Sequence, residues 1–449
     1  MKSSMIISCI AVLISAAVLL SGCGTAGPGP VVLDGDGMER TAYPLSEPHY
    51  PDMAPFPTET EDSDAYEKWR GDIQAQHRDL SFSSELNEFY GKIIPAFLSS
   101  DDGENRIISP LNLYMALSML AEITDGGARA EIMELINCPD VDALRKRASD
   151  LWNSHFRRDG ATSLTLANSI WLRSGIEYNA DCLQTLSENY YASSFAGIMG
   201  SGEYDSLLRS WINEQTDYLL SDFTPEESLE PDTVLALVSA VCFRAKWADE
   251  FNADNTLPDV FHGSDGEAET DFMHTSLDDR YWRGENFGAV MLGLDNGAGT
   301  MELILPDEDS DIESILYDEE FCSFMEQGRD WINSSFVTID LAMPKFDIEA
   351  DAHLKEGFKA LGVSRVFTDT ADFSPVSGEE GIYVSDIHHA ARAAADEKGI
   401  KAAAYTVILA PAACEPPEEH VEFILDRPFI FMIRSSAGQP VIAAAVNSL

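Results

Sequence analysis

The stretch DEKGIKAAAYTVILAPAACEPP, residues 396–417, decides how the rest of the chain is read. It opens on Asp396, Glu397 and Lys398 and reaches Gly399, which can act as a hinge because it has no Cβ and tolerates unusual backbone angles. Ile400 and Lys401 follow, and then Ala402, Ala403 and Ala404, three small side chains. Residues 402–413 carry no charge at all. An uncharged, β-prone run of twelve residues can become a buried strand. Two readings stand at this point: a core strand buried from the outset, or a loop that is exposed first and buried later. Pro416-Pro417 marks the exit from the stretch.

Upstream, helical patterns crowd the first half of the chain. Phe82, Leu86, Phe89, Ile93 and Phe97 fall on one helical face. Ser109-Pro110 predicts a helix start, a hydroxyl cap followed by proline at the first helical position, and Met115, Met119 and Ile123 continue the apolar face. Strand patterns crowd the rest. Residues 292–294, a turn at Asp295-Asn296-Gly297 and residues 301–305 predict a hairpin. Residues 336–341 alternate apolar and polar, and 421–433 and 440–446 form two runs around Ser436-Ala437-Gly438. One more helix is expected over 354–361, ended by Gly362. Helices followed by many strands predict an α+β fold with antiparallel sheets.

The charge balance limits partners. With 77 acidic against 29 basic side chains the 449-residue chain carries a formal net charge of −48, which repels nucleic acid. The acidity reads as a solubility device. The N-terminus reads as an export signal: Lys2, then a short apolar stretch over 5–20, then Leu20-Ser21-Gly22-Cys23. A membrane-spanning helix needs about 20 apolar residues, so the stretch is too short for one. The tetrapeptide is similar to a bacterial lipobox, with cleavage before Cys23 and a lipid on its thiol; an ordinary signal peptide with an incidental cysteine is the alternative. Diacylation supplies stable anchoring. This divides the chain into a leader (1–23), a flexible Pro/Gly-rich acidic linker (24–65) and one domain (66–449). The cysteines Cys9, Cys23, Cys138, Cys182, Cys242, Cys322 and Cys414 are scattered and form no CxxC, so neither a disulfide framework nor a zinc site is expected. Cys242, in an apolar run, reads as a core thiol.

Several blocks in order carry a family likeness. Ile108-Ser109-Pro110 precedes Ala116-Leu117-Ser118-Met119-Leu120; Asn168-Ser169-Ile170-Trp171, then Ile212-Asn213 and the run LVSAVCFRAKW (237–247), match strands of a large sheet. Met343-Pro344-Lys345-Phe346, Leu361-Gly362-Val363, Ala371-Asp372-Phe373-Ser374, His389 ahead of Asp396-Glu397-Lys398-Gly399, and Arg427-Pro428-Phe429-Ile430-Phe431 complete the series. Over roughly residues 80–449 the chain resembles the serpins. The resemblance implies the serpin fold, a large central sheet with smaller sheets, surrounding helices and an exposed reactive loop.

It also implies that this loop is bait for a serine protease. The hinge would be Glu397, Lys398, Gly399, Ile400, Ala402, Ala403 and Ala404. Counting fourteen residues on from Gly399, as the family does, puts the scissile bond at Ala413–Cys414, with Pro416 and Pro417 beyond the cut as in an elastase inhibitor of the family. Alanine before the bond suits a shallow, elastase-type pocket, and no Arg or Lys lies between 402 and 414. Ala412–Ala413, or a bond after any of Val407 to Leu409, is the alternative. The protease would be held as a covalent acyl-enzyme, the inhibitor acting as a monomer without cofactor or metal on the outer face of a bacterial membrane.

Departures from the family pattern bear on this. Ile400 stands where threonine or serine is usual, Lys401 where glutamate is usual, and Tyr405 in place of a small residue. The shutter of the large sheet would comprise Ser109, Asn112, Ser239 and His389. Family members often have serine at 112 and asparagine at 239, so the Asn112/Ser239 pair reads either as a compensating swap that keeps hydrogen bonds to His389 or as two independent changes. His389 is expected to be structural. No GxSxG, HExxH, GxxxxGK[ST] or GxGxxG pattern supports an enzyme. A non-inhibitory serpin acting as a surface binding protein is the other reading, kept open by Ile400 and Tyr405.

Overall fold

The computed structural model describes residues 10–22, 42–57, 63–76, 78, 80–99, 102–160, 162–216, 218, 229–398, 417 and 419–449. Two sheets organise them. The first has eight strands, running Phe346–His353, Ile382–Ala395, Ile10–Gly22, Thr233–Arg244, Ser163–Arg173, Ala192–Gly197 and Ala42–Ser46 from edge to edge, with Arg157–Arg158 hairpinned onto Ser163–Arg173. The second joins nine strands into one sheet, His420–Ile424 and Ser334–Pro344 at one end and Pro440–Val446 and Arg106–Ile108 at the other.

Alternation explains how the first sheet is sandwiched. In Thr233–Arg244, Leu235, Leu237, Val241 and Phe243 enter the main core. Ala236, Val238 and Ala240 point the other way, into a smaller cluster with Trp171, Phe195, Tyr204 and Trp211 that the helix Gly202–Gln215 covers. The strand is apolar almost throughout because neither of its faces meets water.

The main core closes around the helix Pro110–Ile123, every residue of which is buried. Ser109 caps it, its hydroxyl accepting the Asn112 N–H at 3.2 Å, and Pro110 occupies the first turn as expected. Beside it the helix Ser83–Leu98 buries Leu86, Phe89, Ile93 and Phe97, with Phe82 buried at its N-cap; each such side chain contributes about 1.5–3 kcal/mol by leaving water. The hairpin forms as predicted, Phe287–Leu294 against Gly299–Pro306. Gly299 has φ +141°, and a Cβ there would stand 1.8 Å from the Arg434 carbonyl oxygen, so no other residue fits this crossing. The helix Lys355–Ala360 ends before Gly362, φ +96°.

Three expectations are corrected. The expected spacer over 24–65 includes ordered elements: Ala42–Ser46 pairs with Ala192–Gly197 at the edge of the first sheet, and the helix Ser63–Gln76 begins inside it. Between them Tyr50 packs on Trp152 at 5.0 Å, and the Phe56 N–H donates to the Asp159 carbonyl at 2.7 Å. Ile212-Asn213 belongs to the helix Gly202–Gln215, not to a strand. The run over 421–433 is two strands: His420–Ile424 pairs in parallel with Ser334–Pro344, and only Phe429–Ser435 pairs with Pro440–Val446. The break falls at Pro428, which cannot donate to a ladder. No helix among the described residues is long and apolar enough to cross a membrane. Ile10–Gly22, inside the stretch that reads as an export signal, is a strand of the first sheet.

Candidate functional site

The site is built at the base of the 396–417 stretch. Strand Ile382–Ala395 runs out of the first sheet into Asp396, Glu397 and Lys398, each fixed before the chain reaches Gly399. The Trp247 indole N–H donates to the Asp396 carbonyl at 2.8 Å, and the Phe251 N–H donates to the Glu397 carbonyl at 2.9 Å. Trp247 is itself pinned edge-on against Phe251, ring centroids 5.8 Å apart. The Glu397 carboxylate takes the Thr256 hydroxyl at 3.0 Å and the Lys345 ammonium at 3.3 Å. Burial pushes the Glu397 carboxyl up, but its own backbone N–H, Thr256 and Lys345 outweigh burial and hold it below its ordinary value. Burial raises the neighbouring Asp396 carboxyl, aided by the charge of Glu397 and opposed by the Lys398 N–H, which donates to it at 2.9 Å. Asp396 and Glu397 are thus held by side chains of other segments just before the chain reaches Gly399.

At the far end, the Thr338 N–H donates to the Glu419 carbonyl at 2.9 Å, and His420–Ile424 joins the second sheet. The stretch is therefore strung between the two sheets. Gly399, Ile400, Ala402, Ala403, Ala404, Ala413 and Cys414 lie outside the described residues, as does Cys23.

Topology limits what such a stretch can do if it is cut near its far end. Its upstream part stays joined to Ala395, and a segment folding back from there runs antiparallel to Ile382–Ala395. Two positions flank that strand: one is taken by Phe346–His353, and the other lies between Ile382–Ala395 and Thr233–Arg244. Both of these strands pair antiparallel with the segment Ile10–Gly22 that runs between them, and so are parallel to each other.

The shutter residues lie across the same line. His389 is fully buried, its Nε2 accepts the Ser109 N–H at 3.2 Å, and burial lowers its pKa from 6.5 to about 3, so the imidazole is neutral. It is enclosed in the core as a hydrogen-bond acceptor. Ser239 does not reach it. The Ser239 hydroxyl donates to Asn168 Oδ1 at 2.7 Å, and Asn168 in turn donates to the Tyr190 carbonyl at 2.9 Å. The Asn112 side-chain amide and His389 Nδ1 have no hydrogen-bond partner among the described residues. The expected swap is therefore not realised, because Ser15 stands in register between Ser239 and His389. Ser109, Asn112 and His389 are brought together on one side and Ser239 with Asn168 on the other.

Sequence reasoning missed Asn168, Trp247, Phe251, Thr256 and Lys345 as functional side chains. Asn168 alone left a signal, a lone amide inside the apolar run of Ser163–Arg173, directly opposite Ser239. Cys242 is buried, as expected of a core thiol. One Ser–His contact, Ser435 Oγ to His155 Nε2 at 3.0 Å, lies inside the core with His155 lowered to about 4 by burial, out of reach of any substrate.

Comparison with known proteins agrees with this architecture. Residues 84–448 match the family model described as serpin (serine protease inhibitor). The chain is 27% identical over 351 residues to a serine protease inhibitor of Cyanea capillata, covering 76% of this chain and 90% of that one. It is 25% identical to the leukocyte elastase inhibitor of Sus scrofa, covering 80% and 97%. Its structure superposes on that of a thermophilic serpin, tengpin, in the native state with a TM-score of 0.72 and 25% identity, over 83% of this chain and 95% of that one. The chain belongs to the serpin family, a family described by protease inhibition and not by an enzymatic activity.

Proposed function

We propose that the protein is a suicide inhibitor of serine proteases of the elastase type, acting through cleavage at Ala413–Cys414. The observation that carries this reading is the anchored base of the loop. Trp247, Phe251, Thr256 and Lys345 grip residues 396–397, and the uncharged, alanine-rich segment follows on from strand Ile382–Ala395 of the first sheet.

The chemistry is that of an interrupted proteolysis. The protease serine attacks the Ala413 carbonyl carbon, the Ala413–Cys414 bond breaks, and the new Cys414 amine leaves with the proton from the protease histidine. Ala413 remains as an ester on the serine. The severed segment then inserts beside Ile382–Ala395, drawing the tethered protease along and distorting its oxyanion hole, so water does not complete the second half of the reaction. This requires the uncut fold to be kinetically trapped rather than the most stable arrangement. Loss of the leader and lipidation of Cys23 would hold the inhibitor on the outer face of a bacterial membrane; labelling with a radioactive fatty acid should mark the parent and not Cys23→Ala.

The test mixes the chain from Gly24 onwards, which retains the Ala42–Ser46 strand, with an elastase-type protease and separates the products under denaturing conditions. A band of summed mass, with the new N-terminus at Cys414, is the expected result. Complete cleavage without that band would refute inhibition and favour the non-inhibitory, surface-binding reading.

A further inference from the structure

The line that a cleaved loop would fill is taken in the full chain by its own leader. Segment Ile10–Gly22 runs from Ile10 opposite Ala394 to Gly22 opposite Ile382 on one side, and from Ile10 opposite Arg244 to Ser21 opposite Thr233 on the other. It is antiparallel to both neighbours, the direction that a segment returning from Ala395 must also take. At 13 residues, IAVLISAAVLLSG, it is one residue longer than the stretch 402–413 and, like it, bears no charge. A sheet has one position between two adjoining strands, so leader and loop exclude each other.

We infer that the leader is an internal plug: while Ile10–Gly22 is attached it occupies the insertion position, and its removal arms the inhibitor. This rests on the inhibitory reading above.

Two features make the plug releasable. Its pairing is irregular, with register shifts between Ser15 and Ala17 and between Leu19 and Leu20 on the Ile382–Ala395 side, and between Ser15 and Val18 and between Leu20 and Ser21 on the Thr233–Arg244 side. A broken ladder holds less firmly than a continuous one. The first shift on each side falls beside His389 and Ser239, where the buried Asn112 amide and His389 Nδ1 have no partner among the described residues. Withdrawing the leader lets the two flanking strands approach and gives these atoms a route to partners. The segment also ends at Gly22, the residue immediately ahead of the expected cut before Cys23, so that single cut frees all of it.

The test uses the full chain with Cys23→Ala, which retains residues 1–22, and the same chain with Leu13→Pro and Leu19→Pro. Both leucines are paired on both sides, and proline cannot donate to either ladder. Backbone hydrogen exchange at 10–22 in the Cys23→Ala chain should be at least about 100-fold slower than in a free peptide of the same sequence. Exchange at the free-peptide rate overturns the inference, whether or not the proline variant folds. Mixed with an elastase-type protease, the Cys23→Ala chain should be cut as a plain substrate, and the proline variant should yield at least about tenfold more covalent complex. Equal yields of complex would overturn the gating. Slow exchange at 10–22 with no complex from the proline variant or from the chain lacking the leader would refute the inhibitory reading and leave the leader's position supported.

Discussion

Lowering the pH from 7 to 5 should weaken this fold through two imidazoles that it keeps neutral. His389 is fully buried beside Ser109, and burial takes its pKa from 6.5 to about 3. His155 is equally enclosed; burial takes it from 6.5 to about 4, partly opposed by the Leu151 carbonyl 2.6 Å from its Nδ1. In the unfolded chain both take up a proton near 6.5, while the folded chain refuses it until pH 3–4. Between those values the unfolded state binds more protons, so stability rises with pH. The contribution is complete above pH 6.5 and is lost as the pH falls towards the folded pKa values. At pH 5 the deficit is about 1.5 units, or about 2 kcal/mol for each histidine and about 4 kcal/mol for the pair. Urea unfolding at pH 7 and pH 5 measures it. The His389→Gln and His155→Gln variants should each lose about 2 kcal/mol less than the parent between the two pH values. Burial raises the carboxyls of Glu302 and Asp396, which act in the opposite sense, but these are common to parent and variant and cancel in the comparison. A variant with the same pH dependence as the parent would refute the assignment of that histidine as buried and neutral.

Other outcomes follow from single contacts. Glu302→Ala should destabilise the fold by about 3–5 kcal/mol, measured from the urea midpoint, because it strands the buried Arg434 guanidinium, whose Nε lies 2.8 Å from Glu302 Oε1. Trp247→Phe keeps the ring but removes the donor to the Asp396 carbonyl, and should cost about 1–2 kcal/mol while accelerating amide exchange at 396–398. Ala402→Arg should leave cleavage of the loop unchanged and reduce the yield of covalent complex by about tenfold or more, since insertion would bury an unpaired charge; densitometry of a denaturing gel reads both quantities.

Much of the fold was legible because its signals are local. The cap at Ser109, the proline behind it and the 3.6-residue spacing of Leu86, Phe89, Ile93 and Phe97 each report on neighbours within a few residues. So does the turn at Asp295-Asn296-Gly297. What escaped depends on distant pairing. Ala42–Ser46 is held by backbone bonds to Ala192–Gly197, which its own Pro-containing sequence does not announce. An apolar run of the leader's length reads equally as an export signal or as a central strand, and only its neighbours, Thr233–Arg244 and Ile382–Ala395, distinguish the two. At the site, Ser109 and His389 were legible as members of one shutter because their separate blocks carry the family likeness, but the hydrogen bond between them was not. The partnership of Ser239 with Asn168 was not, since it depends on how far apart the two flanking strands stand. The grip of Trp247 and Lys345 on residues 396–397 joins segments about 50 and 150 positions apart in the chain, a distance no spacing rule spans.

The claim on which the account turns is that a cut in the loop lets it become a strand. A twelve-residue central strand adds about a dozen ladder hydrogen bonds at about 1 kcal/mol net each, and a domain of this size gains about 1.3 °C for each kcal/mol. The chain from Gly24 onwards, nicked once within 399–416, should therefore melt about 15 °C above the intact form. An unchanged or lower melting temperature after the same nick would contradict the account.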